Sequence, residues 1–264
     1  MRIGVACLYY EIEKTLEIIE RNRDFINHLE IGIDTVAQID KIAPFIDKIE
    51  ELGLSIGVHL AMEINTCEEI GCIRSSWSKF CSDMCRGVEF LKPAYLNLHL
   101  GYAMKNRFLK DKKRYLNNSV DFFFKFQENL EQLSRVPVIT VENSYSLEGG
   151  DLMNTGISTA EFEYIFENTN KIREKVDMPY FCFDTGHCIL SKDDYSNLKE
   201  YTKVVHISDC SGEVDDHVEI FSGRLTEEEL QAAIDMSPDY AVIEVKSEYL
   251  ENSITRVKEF FKII

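Results

Sequence analysis

The strongest constraint on this chain is a rhythm that repeats eight times over its 264 residues. Each unit is a short apolar, β-branched run followed by a longer amphipathic stretch. The runs are Ile3–Cys7, His28–Ile33, Leu54–His59, Tyr95–Leu100, Val138–Val141, Tyr180–Phe183, Val204–Ile207 and Ala241–Val245. Most are almost continuously apolar, as strands buried on both faces of a parallel sheet must be. The stretches between them are Glu11–Asn27, Asp40–Leu52, Ser78–Leu91, Lys113–Leu133, Thr159–Val176, Asn197–Tyr201, Thr226–Met236 and Tyr249–Phe261. They place apolar residues at three-to-four spacing, the period of a half-buried helix. Ser158 stands three residues before Glu161 and Thr226 three before Glu229, the spacing of a capping box.

Eight β-then-α units are the number that closes a (β/α)8 barrel. An open doubly wound sheet would advertise a glycine-rich turn after its first strand, and here that turn reads Cys7-Leu8-Tyr9-Tyr10. No linker, low-complexity stretch or short repeat marks a second domain. The expectation is therefore a single α/β TIM-barrel domain over residues 1–264. A hydrophobic content of 45% suffices for one large core. No apolar run approaches the ~20 residues of a membrane helix. The start, Met1-Arg2-Ile3-Gly4-Val5-Ala6-Cys7, enters a strand without a signal-peptide core, so a cytoplasmic protein without membrane contact is expected.

The formal net charge of -17 argues against a broad nucleic-acid interface, because phosphate contacts need a basic face. A local patch could survive in an acidic total, and metal-binding carboxylates inflate the negative count. Cys67, Cys72, Cys81 and Cys85 are separated by four, eight and three residues, which matches no common zinc-knuckle pattern. Reduced packing thiols are expected there.

Histidines and carboxylates collect where the strands end. The third run ends in His59 and the fourth in Asn97-Leu98-His99. The fifth ends in Glu142-Asn143, and the sixth runs into Asp184-Thr185-Gly186-His187. The seventh ends in His206-Ile207-Ser208-Asp209, its loop carries Asp215-Asp216-His217, and the eighth ends around Glu244. In a barrel those ends converge on one mouth, where active sites lie. Five of the six His residues fall there, and His28 alone opens the second strand at the opposite end. A lone histidine is most often structural. Five on one rim, interleaved with Glu142, Asp184, Asp215 and Glu244, are not, because burying so many carboxylates without a cation is very costly. Imidazole with carboxylate suits zinc first, with Mn, Co or Mg as alternatives.

The runs Cys182-Phe183-Asp184-Thr185-Gly186-His187 and His206-Ile207-Ser208-Asp209-Cys210-Ser211-Gly212-Glu213-Val214-Asp215-Asp216-His217 resemble the xylose-isomerase-like TIM-barrel superfamily. That superfamily holds a sugar-phosphate isomerase/epimerase group and an endonuclease IV (AP endonuclease 2) group, and the resemblance extends over nearly the whole chain. The short His-x-x-Asp-x-x-Gly-x-x-Asp-x-His spacing is similar to the first group. For that group the resemblance implies a metal on Glu142, Asp184, His206 and Glu244, with His187 beside them as a substrate or second-metal contact. For the second it implies three zinc ions on His59, His99, Glu142, Asp184, His187, His206, Asp215, His217 and Glu244. His59 is also followed by Ile64-Asn65, as in the endonuclease pattern. Two departures stand out. Val218–Arg224 holds one glycine where the family has Gly-x-Gly, and His99 is followed by Leu100 rather than proline.

The same rim supports two chemistries. In an isomerase or epimerase of a sugar, sugar phosphate or small polyol, Glu142 and Glu244 would form the acid/base pair and His187 would assist. In a tri-zinc phosphodiesterase acting on abasic-site DNA or another phosphodiester, Glu142 would bridge metals. The shorter loop and the charge place isomerisation first. A pathway-specific metalloenzyme for an unusual small molecule is a third class. Substrate contacts are expected from Asn143 and Asp209, next to the ligands, and from Tyr102, Lys105 and Arg107. The last two belong to the basic stretch Met104–Arg114, which could meet phosphate or lie solvated. A small-molecule substrate and a homodimer through surface helices complete the expected partners.

Overall fold

The computed structural model describes residues 1–264 except 131–132, 134, 147–148, 171–178 and 264. In chain order the strands are β1 (Arg2–Leu8), β2 (His28–Ile33), β3 (Ser55–Leu60), β4 (Tyr95–His99), β5 (Tyr102–Met104), β6 (Val138–Glu142), β7 (Leu152–Asn154), β8 (Tyr180–Asp184), β9 (Thr202–Ile207) and β10 (Tyr240–Ile243). The helices are α1 (Ile12–Arg21), α2 (Val36–Ile39), α3 (Ile46–Glu51), α4 (Gly71–Gly87), α5 (Lys105–Lys110), α6 (Lys112–Leu130), α7 (Thr159–Asn170), α8 (Thr185–Ser191), α9 (Glu227–Asp235) and α10 (Leu250–Ile263). Eight strands close a parallel barrel in the order β1-β10-β9-β8-β6-β4-β3-β2, and β2 pairs with β1 to complete the ring. The expected (β/α)8 architecture is the observed one.

The strands sort their residues by a period of two. On β2, Leu29, Ile31 and Ile33 face outward into the main core, which they share with Val58, Leu96, Leu98, Ile139, Val141, Phe181, Val205 and the apolar stripes of the helices. The alternate residues fill the barrel itself. Low in the barrel, Tyr95, Cys182, Val204 and Val242 form a small apolar cluster. Above it the interior turns polar: Glu30, Asn97, Thr140, Glu142, Asp184 and His206 are all buried. Barrel interiors are ordinarily filled by branched aliphatics. This one gives that space to charge, which must be matched inside the fold.

Room for two aromatic rings in the interior comes from glycines. A Cβ on Gly57 would lie 2.4 Å from Tyr95 Cζ, and one on Gly4 would lie 2.6 Å from His28 Cδ2.

The capping box at Thr226 forms, with Thr226 Oγ1 accepting from the Glu229 amide at 3.2 Å. Ser158 donates to the Glu161 side chain at 3.2 Å, at the start of α7. Three helix expectations change. The stretch Asp40–Leu52 is not one helix but a 3-10 turn at Ala43–Phe45 followed by α3. Pro44 causes the break, since it lacks an amide and disfavours helical backbone at Ala43. The first helix stops at Arg21 rather than Asn27, where the Asn22 side chain donates back to the Ile18 carbonyl at 3.0 Å. The third begins at Gly71, seven residues before Ser78. The ends expected for the fourth and fifth helices, at 131–133 and 171–176, fall wholly or partly outside the described residues. The antiparallel ribbon of β5 and β7 and the short α8 were not anticipated. Of the cysteine group, Cys67, Cys81 and Cys85 are buried thiols and Cys72 is exposed, all unbridged.

Gly57→Ala should cost about 1–3 kcal/mol, because overpacking must displace the Tyr95 ring. Chemical denaturation measures this, and a variant as stable as the parent would remove the steric role of Gly57.

Candidate metal centre

The carboxylate of Glu142, at the end of β6, is the hub of the mouth. His59 Nε2 lies 3.1 Å from Glu142 Oε2 and His99 Nε2 lies 4.0 Å from it. His206 Nδ1 is 3.3 Å from the same oxygen, and His187 Nδ1 is 3.1 Å from Oε1. Neighbours fix the orientations. His59 Nδ1 donates to the Leu60 carbonyl at 2.8 Å, which turns Nε2 inward. Asn97 donates to Glu142 Oε2 and accepts from Thr140 Oγ1 at 2.8 Å.

Asp184 ends β8 and caps α8, accepting the His187 amide at 2.6 Å. Ser208 Oγ donates to the same carboxylate at 2.8 Å. The N-cap therefore sets where His187 stands. Glu244, just past β10, brings Oε2 to 2.7 Å from His206 Nδ1. A third trio shares Asp215 Oδ2, with His187 Nε2 at 3.1 Å and His217 Nε2 at 3.3 Å. His217 has a left-handed backbone, φ 44°, a strained conformation for a non-glycine residue at a candidate site.

All nine rim residues named from the sequence thus converge. Among the described residues four groups bring one ligand atom from each member within 4.8 Å of one another: His59, His99 and Glu142; Glu142, Asp184, His206 and Glu244; Glu30, His59 and His206; and Glu142, Cys182 and His206. Around the mouth and the barrel interior, four side-chain atoms of the described residues are buried without a well-directed hydrogen bond: His206 Nδ1 and Glu244 Oε2, which face each other at 2.7 Å as an ion pair, Glu30 Oε1, 3.1 Å from His206 Nε2, and Asp215 Oδ1. A buried polar atom left without a directed bond costs about 1–3 kcal/mol. Three of the four belong to the expected ligands, so the donor set fits a divalent cation with mixed imidazole and carboxylate ligation.

The charges interlock. Burial raises the Glu142 carboxyl, but His99, His206 and His187 outweigh it and hold its pKa well below the usual range. Burial lifts Asp184 to about 6. Burial also opposes charge on His59 and His217, yet Glu142 takes the first to about 9 and Asp215 takes the second to about 10. Burial leaves His99 at about 4, neutral at pH 7.

The expected substrate contacts lie elsewhere. Asn143 ties β6 to β8, donating to the Asp184 carbonyl at 2.9 Å and accepting the Asp184 amide at 2.6 Å. The buried Asp209 carboxylate accepts the amides of Cys210, Gly223, Arg224 and Leu225, each at 2.8 Å. It clasps both ends of the loop that carries Asp215 and His217. The single glycine of Val218–Arg224 serves this clasp, since a Cβ on Gly223 would sit 2.3 Å from the Cys210 carbonyl oxygen. Arg107 pairs with Glu69 at 3.2 Å and Lys105 opens α5, while Tyr102 is exposed on the ribbon. None of these five is among the described residues that line the cleft over the metal ligands.

That cleft has a volume of about 510 Å³ and is lined by Leu8, Tyr10, Met62, Val245 and Leu250, by Glu30, and by all of the nine rim residues except Asp184 and His206. Its polar rim holds Glu11, Asp34 and Glu248 against one lysine, Lys246. Asn97, Ser208 and Glu30 were missed by sequence reasoning. Asn97 was findable, since it stands two residues before His99 and so shares its face.

Asp209→Ala should destabilise the chain by about 1–3 kcal/mol, since it strands the buried Cys210 and Leu225 amides. Faster hydrogen exchange at the Cys210 and Leu225 amides would localise the effect, and unchanged exchange would refute it. A metal bound at His59 or His217 would displace protons, since, against burial, Glu142 raises the first to about 9 and Asp215 the second to about 10. Affinity for Zn2+ at those histidines should therefore rise with pH above neutrality. Calorimetry in buffers of different ionisation heat reads the proton release, and a pH-independent affinity would contradict it.

No family model and no curated protein matches the chain. Solved structures do. A D-tagatose 3-epimerase-like protein superposes with a TM-score of 0.79 at 20% identity, over 100% of this chain and 98% of that one. D-psicose 3-epimerase from Clostridium cellulolyticum, solved with D-tagatose, gives 0.71 at 15% identity, over 100% and 99%. Endonuclease IV from Thermus thermophilus gives 0.71 at 16% identity, over 100% of both chains. The chain has the (β/α)8 barrel fold of these three solved structures.

Proposed function

We propose that the chain is a divalent-metal-dependent isomerase or epimerase of a small sugar or polyol. The observation that carries this reading is the convergence of Glu142, Asp184, His206 and Glu244, which bring one ligand atom each within 4.8 Å of one another. These four would hold the ion. When bound, a divalent cation supplies Lewis acidity toward a carbonyl or hydroxyl oxygen.

The chain's own residues supply the proton chemistry. Epimerisation takes a proton from one face of a carbon and returns one to the other, so it needs two bases on opposite sides. Glu142 and Glu244 come from β6 and from the end of β10, on different arcs of the barrel. The Glu244 side chain is 26% exposed and the Glu142 side chain 1%, so Glu244 meets the cleft more openly. His187 has both ring nitrogens engaged, Nδ1 by the Asn143 carbonyl at 2.9 Å and Nε2 by Asp215 at 3.1 Å, so it fixes the Asp215 carboxylate beside the cleft. A cleft of about 510 Å³ suits a monosaccharide, and its apolar side can cover one sugar face.

Phosphodiester hydrolysis is the second reading. The clustering of His59 and His99 on Glu142, and of His187 and His217 on Asp215, favours it. Weighing against it, the described rim sets Glu11, Asp34 and Glu248 against Lys246, a poor field for a polyanion. The same field favours an uncharged sugar over a sugar phosphate, since neither Lys105 nor Arg107 is among the described residues that line the cleft.

Purified protein loaded with Zn2+, Mn2+ or Co2+ should interconvert members of a ketose panel and leave an abasic-site duplex intact. Cleavage of the duplex without ketose turnover would overturn the assignment. Glu142→Gln should lower turnover by about 10²–10⁴-fold, the scale of a lost acid/base group. Unchanged turnover would remove Glu142 from the mechanism.

A further inference from the structure

Beneath the ligands, the barrel interior carries a continuous polar thread that the reaction does not use directly. His206 Nε2 lies 3.1 Å from Glu30 Oε2. Tyr95 OH lies 2.5 Å from the same oxygen. His28 Nε2 is 3.0 Å from Tyr95 OH, and His28 Nδ1 is 2.8 Å from Ser55 Oγ. The thread runs from the N-terminal end of β3 to the metal ligands.

Its donors and acceptors have one consistent order. Glu30 is an acceptor, so His206 Nε2–H and the Tyr95 O–H both donate to it. The Tyr95 oxygen is then free to accept from His28 Nε2–H, and His28 Nδ1 accepts from the Ser55 hydroxyl. A neutral His28 fits this order, since burial lowers its pKa to about 3. With Nε2–H committed to Glu30, the ring of His206 presents Nδ1 to Glu142 and Glu244, at 3.3 and 2.7 Å. A ligating histidine needs that arrangement: one nitrogen anchored behind, the other aimed at the ion.

A purely structural Glu30 is a poor explanation. Its carboxylate is 1% exposed in the middle of a strand, where a buried ion pair is often no better than a well-packed apolar side chain. The fold also clears space around the thread, with glycines at positions 4 and 57 against the His28 and Tyr95 rings.

We propose that Glu30 is a positioning residue of the metal centre, setting the ring of His206 from behind while Tyr95 and His28 hold Glu30 in turn. The inference rests on the metal-binding reading above. The test uses Co2+ alone, added to the full chain and followed by its visible absorption bands and by calorimetry. Glu30→Gln should bind Co2+ about 10–100-fold more weakly, with shifted bands, as expected for loss of such a partner. Glu30→Asp should restore part of the affinity. Tyr95→Phe leaves the carboxylate in place and should weaken binding less, and it carries the test if Glu30→Gln does not fold. An unaltered constant and spectrum in Glu30→Gln, or in Tyr95→Phe where that variant stands in, overturns the role. Complete loss of uptake in a folded Glu30→Gln makes Glu30 a ligand and also overturns it. If the unsubstituted chain takes up no Co2+, the metal-binding reading itself fails, an outcome separate from normal uptake by both proteins.

Discussion

Charge placed inside a closed barrel must be answered inside it. Glu30, Glu142 and Asp184 are almost wholly shielded from water, and each would be prohibitively costly alone. The chain answers with imidazoles: four histidines lie around Glu142, and His206 stands between Glu30, Glu142 and Glu244. The rest of the interior follows from this constraint. Asn97 and Thr140 orient Glu142, Ser208 and the α8 amides hold Asp184, and Gly57 clears space for Tyr95. The atoms left without a well-directed hydrogen bond, His206 Nδ1, Glu244 Oε2 and Asp215 Oδ1, cluster where a cation would fit.

The outer shell of the fold was legible because burial on both faces leaves an apolar run, and six of the eight runs matched their strands to within a residue at each end. The rim was legible for a related reason. A barrel sends all strand ends to one mouth, so polar residues that interrupt apolar runs at the same end must meet. Glu30 was illegible since it sits mid-strand, where alternation alone cannot tell a functional acid from an odd core residue. The ribbon of β5 and β7 was missed because three-residue strands carry no period. For Arg107 and Lys105 the sequence could not show what lies opposite them. A basic stretch leaving the mouth reads as a phosphate contact, but Glu69 lies close enough to pair with Arg107 and Arg114 on the outside.

Asp209 and Asn143 show a further limit. Sequence placed them beside ligands and suggested that they touch substrate. In the fold their polar atoms are spent on backbone amides and carbonyls, which is what aims the neighbouring ligands. Adjacency to a ligand does not separate contact from support, and only a count of hydrogen-bond partners does. The same count accounts for the missing family glycine, because the clasp needs a bare Cα at Gly223 alone.

The nine convergent ligands span the chain from His59 to Glu244, with at least one from each of six consecutive units. No hairpin or half-barrel brings together more than part of them. Coordination therefore has long contact order, and the last ligand arrives only with the strand that closes onto β1. A partly folded chain holds these side chains scattered, and only the closed barrel brings them together. An ion held by them would act as a latch on the closed state, stabilising it in step with the logarithm of ion concentration.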